Sequence, residues 1–328
     1  MPVPVIHQHL DDIVSTTLSE IRPVIHDNVY KSMPLLFRLL QRNRVLYSGG
    51  SDIRVPFIYD KPPAGWYRRG QDLNIARKEQ FSTLVFDYGL YYSAVTVDGL
   101  DELQNSGAWK VIDLIAARMQ SAHLAIRDSI ATDIFGDGAE SSPAGGPVVG
   151  LKAAVDDGSL VPVYGRIQRT TSGPGAYIKG NVDATGGRFS LDIMTNMIGR
   201  ATVGAERPDL IITTQALWDA AHDVVMMQQR FATYTTTLGE QMAAVGFPMF
   251  SYMGADVVVD GHCPEGTMWF LNTKTFEFYV HQDRDFVLSP SEPIVPANRD
   301  ERIWRVHFAG QLVCTSPRLN SVAYNLTP

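Results

Sequence analysis

Cysteine is scarce in this chain: Cys263 and Cys314 are the only two among 328 residues. Two cysteines build no disulfide framework, and nothing stands near either at zinc-site spacing, which excludes a disulfide-stapled scaffold and a structural zinc module. A reducing, cytosolic place of synthesis is the reading that follows. Long apolar runs are also lacking. No stretch approaches the roughly 20 residues needed to span a bilayer, and MPVPVIHQHLDD has no basic region leading into an apolar core, so it does not read as a signal peptide. Positive charge is in deficit, with a formal net charge of -7. Such a balance is poorly suited to neutralising phosphates, which argues against a sequence-specific DNA or RNA binder. It is compatible with a container whose wall faces nucleic acid without gripping it.

Recognisable catalytic signatures are missing as well. There is no GxxxxGK[ST], and GDGAESSPAGG lacks the strand–glycines–helix context of a dinucleotide site. Neither a G-x-S-x-G elbow nor H-E-x-x-H occurs. His7, His9, Asp11 and Asp12 offer imidazole and carboxylate groups near the N-terminus, where adventitious metal affinity is the simpler reading. His262 and Cys263 are adjacent in DGHCPEG, which reads as a turn, since a Cys–His dyad needs a third group orienting the base. His123 stands beside the apolar stripe of a helix and reads as a hydrogen-bonded packing residue. The sequence therefore assigns no catalytic, cofactor-binding or metal-ligating residue and predicts a non-enzyme. An active site assembled from distant residues is compatible with absent local motifs, so a soluble oligomeric enzyme stays as the third-ranked reading.

What is present is enough to fold. Hydrophobic residues make up 45% of the chain, which supplies real cores and rules out wholesale disorder. Residues 1–50 read as an extended start and two short helices, over LDDIVSTTLSEI (with Ile13, Leu18 and Ile21 near one stripe) and over LLFRLLQRNR, with Pro34 at the first turn of the latter. Helices this short are marginal alone and must lie on something else. Ile53, Val55, Phe57 and Tyr59 alternate as a strand. The polar, basic loop KPPAGWYRRGQDLNIARKEQ follows, and Phe81–Val97 reads as a long strand or strand pair. Two extended arms around a basic tip make a hairpin-like projection that needs a partner surface. Trp66 and Tyr67 beside Arg68 and Arg69 have the composition of an inter-subunit contact.

The clearest helix spans about 108–134, with Ile112, Ile115, Met119, Ala122, Ile126 and Ile130 on one face. The second half mixes helices over SLDIMTNMIGRATV and TQALWDAAHDVVMMQQRF with strands at DLIITT, Val257–Val259, Met268–Leu271 and Phe276–Val280. The alternating RIWRVHFAGQLVCTSP closes the pattern. Short strands mixed with helices predict α+β, not a regular βαβ series.

The order of these elements resembles the major capsid proteins of tailed phages with the HK97-type fold. The resemblance rests on DNVYKSMPLLFRLLQRNR, the strand–basic-loop–strand of 51–97, DGLDELQNSGAWKVIDLIAARMQSAHLAIRDSIATDIFGDG, PVVGLKAAV, ERPDLIITTQALWDA, FLNTKTFEFYVHQDRDF and WRVHFAGQLVCTSPR, and so covers nearly the whole chain. It implies an N-terminal arm with short helices over 1–50, an extended β-hairpin loop with its strands over 51–97, and a peripheral domain with a long spine helix over 98–188. An axial domain over 189–300 and a C-terminal strand over 301–328 returning to the peripheral domain complete it. The implied function is a self-assembling icosahedral shell enclosing packaged double-stranded DNA without sequence-specific binding, located in the virion and assembled in the host cytoplasm. Implied partners are further copies of the chain as pentamers and hexamers, a portal protein, and separate scaffolding or decoration proteins; no membrane is involved. Some relatives carry a removable N-terminal scaffolding region, whereas this chain reaches the arm directly after Met1, which implies separate scaffolding or none. Some crosslink through a loop lysine; Lys61 and Lys78 are available here, but no crosslink is expected. A cellular encapsulin-like nanocompartment shell is the alternative.

Overall fold

The computed structural model describes residues 32–104, 114–138, 146–228, 249–289, 294–296 and 300–328. The first predicted helix, His7, His9, Asp11 and Asp12, and the opening turns of the long helix lie outside the described residues.

The first helix, α1 (Pro34–Arg42), starts on the proline expected there and buries Leu35, Leu36 and Leu39. Strand β1 (Arg44–Tyr47) follows, and β2 (Ile53–Ile58) and β3 (Phe81–Phe86) form an antiparallel pair. The run from 81 to 97 is two strands, because the chain leaves the β2 partner after Phe86 and starts β4 (Gly89–Asp98) in a different sheet. Then come α2 (Gly99–Gln104) and α3 (Leu114–Ile134). The 21 described residues of α3 span about 32 Å. Ile126, Ile130 and Ile134 recur at the four-residue helical spacing and are all buried. The helix stops where Gly138 takes a left-handed φ of 52°, a conformation that a Cβ disfavours.

Residues 146–190 carry the short pairs β5 (Val163–Tyr164) and β6 (Ile167–Gln168), then β7 (Asn181–Asp183) and β8 (Gly187–Arg188). Beyond them stand α4 (Leu191–Ala201), capped by the Ser190 hydroxyl, β9 (Leu210–Thr213) and α5 (Gln215–Gln228). The remaining strands are β10 (Met249–Tyr252), β11 (Ala255–Val259), β12 (Met268–Leu271), β13 (Phe276–His281), β14 (Val287–Leu288), β15 (Glu301–Cys314), β16 (Ser321–Ala323) and β17 (Leu326–Thr327), the last paired with β8.

Two sheets organise the core. The first has the order β1-β13-β15-β14, with β4 also pairing β15. The pairing of β4 with β15 runs from Glu301 opposite Asp98 to Gly310 opposite Gly89. Alternation along β15 turns Trp304, Val306 and Phe308 into the core, where Phe308 stacks on Phe278 at 6.1 Å. The second sheet has the order β10-β11-β9-β12-β16-β7, so strands from 181–183 and 321–323 join those of 210–271. All four residues of β9 and of β12 are buried, the mark of strands covered on both faces. Successive residues go to opposite sides: Ile211, Val257, Met268 and Phe270 meet Met194, Met197 and Leu217 of α4 and α5. Ile212, Val258, Trp269 and Leu271 join the main core beneath α3.

Charged groups tie these layers together. Arg38 of α1 reaches Asp209 and the Thr273 hydroxyl, both at 2.8 Å, while Thr273 donates its backbone N–H to the same carboxylate at 2.7 Å. Burial lowers the pKa of Arg38 below its ordinary value, against the opposing pull of Asp209. The observed architecture is the mixed α+β arrangement expected from the sequence. No helix among the described residues is long and apolar enough to cross a membrane.

Candidate functional site

The most distinctive surface is the hairpin made by β2, β3 and the loop between them. Its root is ordinary core: Ile53, Val55, Leu84 and Phe86 are buried, and each such side chain contributes about 1.5–3 kcal/mol by leaving water. Phe86 meets Tyr164 edge-on at 5.2 Å, and Val85 donates its backbone N–H to the Gly165 carbonyl at 3.1 Å. Gly165 and Arg166 form the two-residue turn between β5 and β6, with φ of 56° and 62°; two positive φ values match the type I′ turn favoured by hairpins. Arg166 then pairs with Asp87 at 2.9 Å, so one small turn holds the root of the projection.

Away from the root the same hairpin becomes exposed. Ile58 and Phe81, directly opposite each other, are both open to solvent. The pairing continues one step, with the Tyr59 N–H on the Gln80 carbonyl at 3.0 Å. Lys78 lies 3.5 Å from Asp60, whereas Lys61 is exposed. The tip turns at Gly70, φ 83°, where Gln71 donates its N–H to the Arg68 carbonyl and accepts from the Arg68 N–H through Oε1. Trp66, Tyr67, Arg68 and Arg69 are all exposed at this tip, Trp66 to 76%, with the Arg68 guanidinium 5.2 Å over the Trp66 ring. Leu73 and Ile75 extend the apolar surface, Ile75 being 90% exposed. Sequence reading singled out the aromatic–arginine cluster but missed Leu73, Ile75, Ile58 and Phe81. Their signal was a run of large apolar residues inside a loop that is otherwise polar. Contiguous apolar surface of this kind marks an interaction site.

The remaining chemical candidates settle into structural roles. The Cys263 thiol contacts the Thr267 hydroxyl at 3.3 Å and is buried, which pushes its pKa up to about 12; a thiol held protonated is a poor nucleophile. Burial does the same to Cys314, also to about 12. His123, expected to be hydrogen-bonded, instead packs its ring 5.9 Å from Phe286. Burial and then Arg127 lower its pKa. No group of three His, Cys, Asp or Glu side chains able to hold a metal is found among the described residues.

His262 joins three segments. Its Nε2 lies 2.7 Å from Asp128 of α3, and its Nδ1 is 3.5 Å from Asp260, an ion-pair separation looser than the Asp128 bond. Asp260 also accepts from the N–H groups of His262 and of Leu35 at the start of α1. Asp260, then Asp128, raise the His262 pKa against the opposing effect of burial. A raised folded-state pKa gives stability that is fully present below the ordinary value near 6.5 and lost as pH rises through the folded value. We therefore expect the stability difference between the native chain and His262→Gln to be largest near pH 5.5 and to shrink by pH 8.5. Urea melts of both proteins across that range check this; a pH-independent difference contradicts it.

Comparison with protein-family models and with curated protein sequences finds no match. Among solved structures, the chain is similar to the capsid asymmetric unit of cyanophage A-1(L), with a TM-score of 0.67 and 17% identity over 94% of this chain and 97% of that one. It is similar to the capsid of a native GTA particle, with a TM-score of 0.64 and 11% identity over 94% and 96%. It also resembles the holo-SrpI encapsulin complex from Synechococcus elongatus, with a TM-score of 0.58 and 9% identity over 99% and 96%. The chain thus has the fold of capsid and encapsulin shell subunits, the fold that the order of its sequence elements pointed to.

Proposed function

We propose that this chain is a major capsid protein that assembles into an icosahedral shell enclosing packaged double-stranded DNA. The observation that carries the reading is a whole-chain fold likeness to phage-type capsid subunits combined with a hairpin whose apolar tip has no cover in a single copy. On this reading residues 1–50 act as an arm, 51–97 as the extended loop, α3 as the spine of a peripheral domain over 98–188, 189–300 as an axial domain, and 301–328 as the strand that rejoins the peripheral domain. Copies meet as pentamers and hexamers, with a portal protein at one vertex and scaffolding or decoration proteins supplied separately. Assembly takes place in the host cytoplasm and the product resides in the virion. Shell work needs several weak, directional contacts per copy, which closed symmetry multiplies, and a hairpin reaching past its own body supplies one of them.

Replacing Trp66, Tyr67, Arg68 and Arg69 together with alanine is expected to reduce the yield of closed shells at least tenfold, while circular dichroism of the unassembled chain stays as in the parent. Truncating such hot-spot side chains commonly costs about 2 kcal/mol or more each. Shell yield equal to the parent's overturns the assignment of the tip as a subunit contact. The encapsulin likeness favours a second reading, a nanocompartment shell. Particles purified from the native source that contain DNA support the capsid; particles that contain a protein cargo and no DNA support the compartment.

A further inference from the structure

The loop at the hairpin tip differs in charge from the rest of the molecule. Residues 59–80 hold Lys61, Arg68, Arg69, Arg77 and Lys78 against Asp60, Asp72 and Glu79, a net charge of +2, so the remainder of a chain of -7 carries -9. A basic, apolar tip is complementary to a surface that is both acidic and apolar.

The described residues bring those two properties together at the far end of the β4–β15 ladder. The outward side of β4 exposes Leu90, Tyr92, Thr96 and Asp98 at every second position, Tyr92 to 73%. At the end of the strand Asp98 stands opposite Glu301, next to Asp300, whose carboxylate lies against Gly99. Like charges set opposite each other across a ladder are destabilising. Immediately beyond, α2 exposes Leu100 and Leu103, the latter to 73%. Arg118, the nearby base, is engaged by Asp101 at 3.1 Å and by the Thr96 carbonyl at 2.7 Å. Elsewhere on the surface Asp87, Asp137, Glu206 and Asp285 each pair with a basic residue of the same chain.

The same copy cannot serve itself. The hairpin root lies beside the Gly89 end of β4, and Asp98 is about 30 Å away along the strand. The tip of the loop is exposed in its own copy.

We infer that the loop of one copy docks on the Asp98–Leu103 end of a second copy, with Arg68 and Arg69 facing Asp98 and Asp300 and with Trp66, Leu73 and Ile75 covering Leu100 and Leu103. The inference rests on the proposed shell function and names the surface that the hairpin meets.

Charge reversal tests it in both directions. The full chain is prepared as R68E/R69E, as D98K/D300K, and as the four-site combination, and shell yield is read by sedimentation and negative-stain microscopy at low and high salt. Each two-site variant is expected to lose at least tenfold in yield, since juxtaposed like charges cost several kcal/mol; the four-site variant is expected to recover to within about threefold of the parent, as a swapped pair restores the attraction. Wild-type yield from D98K/D300K, with R68E/R69E impaired, overturns this acceptor surface but leaves the hairpin as a contact. Wild-type yield from R68E/R69E overturns the hairpin contact itself. A four-site variant no better than its parents, including one that fails to fold, also overturns the pairing.

Discussion

Arg169→Met is expected to lower the unfolding free energy by about 3–5 kcal/mol, the cost of breaking a buried ion pair by removing one partner. The Arg169 side chain is fully buried and acts as a hub for residues 146–180. Its Nε donates to the Ile178 carbonyl at 3.0 Å, Nη1 to Val161 at 2.7 Å, and Nη2 to Ala153 at 2.5 Å and Ala154 at 3.2 Å. The guanidinium also lies 5.2 Å over the Tyr164 ring, and the Tyr164 hydroxyl accepts the Cys314 N–H at 2.8 Å. One arginine thus connects three loop segments to the longest strand. Methionine matches the length of the stem and none of the donors, so several buried carbonyls lose their partner. Asp156, 3.8 Å from Arg169, loses its counter-charge while still accepting from the N–H groups of Gly158, Leu160 and Val161. Set against the 5–15 kcal/mol typical of a folded domain, the loss is large enough to appear as poor soluble yield. Arg169→Lys retains the charge without the planar fork and is expected to recover only part of the loss. Urea denaturation of the three proteins checks both statements; a loss under about 1 kcal/mol in the methionine variant contradicts the hub role.

That arginine also shows where sequence reading stops. Periodicity reports which side of an element is buried, and it read α3, β9, β12 and β15 well because each carries its burial pattern in consecutive residues. It does not report which distant element does the covering. Nothing local in GRIQRT distinguishes Arg169, which is buried, from Arg166, which pairs with Asp87 at the surface. The Arg38–Asp209–Thr273 group joins residues more than 200 positions apart and leaves no local trace. Strand partners were equally hidden: β13 lies between β1 and β15, and β7 with β16 extends the second sheet, arrangements set by long-range packing. The candidate site was more legible. A hairpin with polar, basic and aromatic residues at its tip reads directly from composition, and the four named tip residues do stand together in the open. The acidic acceptor surface was not legible, since Asp98 and Asp300 become neighbours only through the register of β4 and β15.

Gly165→Val is expected to abolish shell assembly while leaving the second sheet folded. Gly165 holds a φ of 56°, where a β-branched residue is strongly disfavoured. The added Cβ also has no room: it meets the Leu84 side chain at 2.7 and 2.9 Å and the Phe86 ring at 3.0 Å. Strain of about 1–2 kcal/mol from the backbone and about 1–3 kcal/mol from overpacking both fall on the root of the hairpin. The neighbouring groups that could yield are Leu84 and Phe86, the residues that anchor β3, so relief of the clash displaces the projection. The second sheet draws its stability from the α4 and α5 layer and from Trp269 and Leu271 on its other face, none of which Gly165 touches. Hydrogen exchange separates the two regions: amides of β2 and β3 are expected to lose protection by two orders of magnitude or more, a local loss of about 3 kcal/mol, while those of β9 and β12 keep theirs. Gly165→Ala, with less bulk but the same φ, is expected to fall between the parent and the valine variant in both protection and shell yield. If the valine variant assembles normally with β2 and β3 deprotected, a firmly held root is not required and the hairpin finds its orientation on the neighbouring copy. If protection is lost throughout the chain, the turn at Gly165 supports the whole fold and the hairpin cannot be altered apart from it.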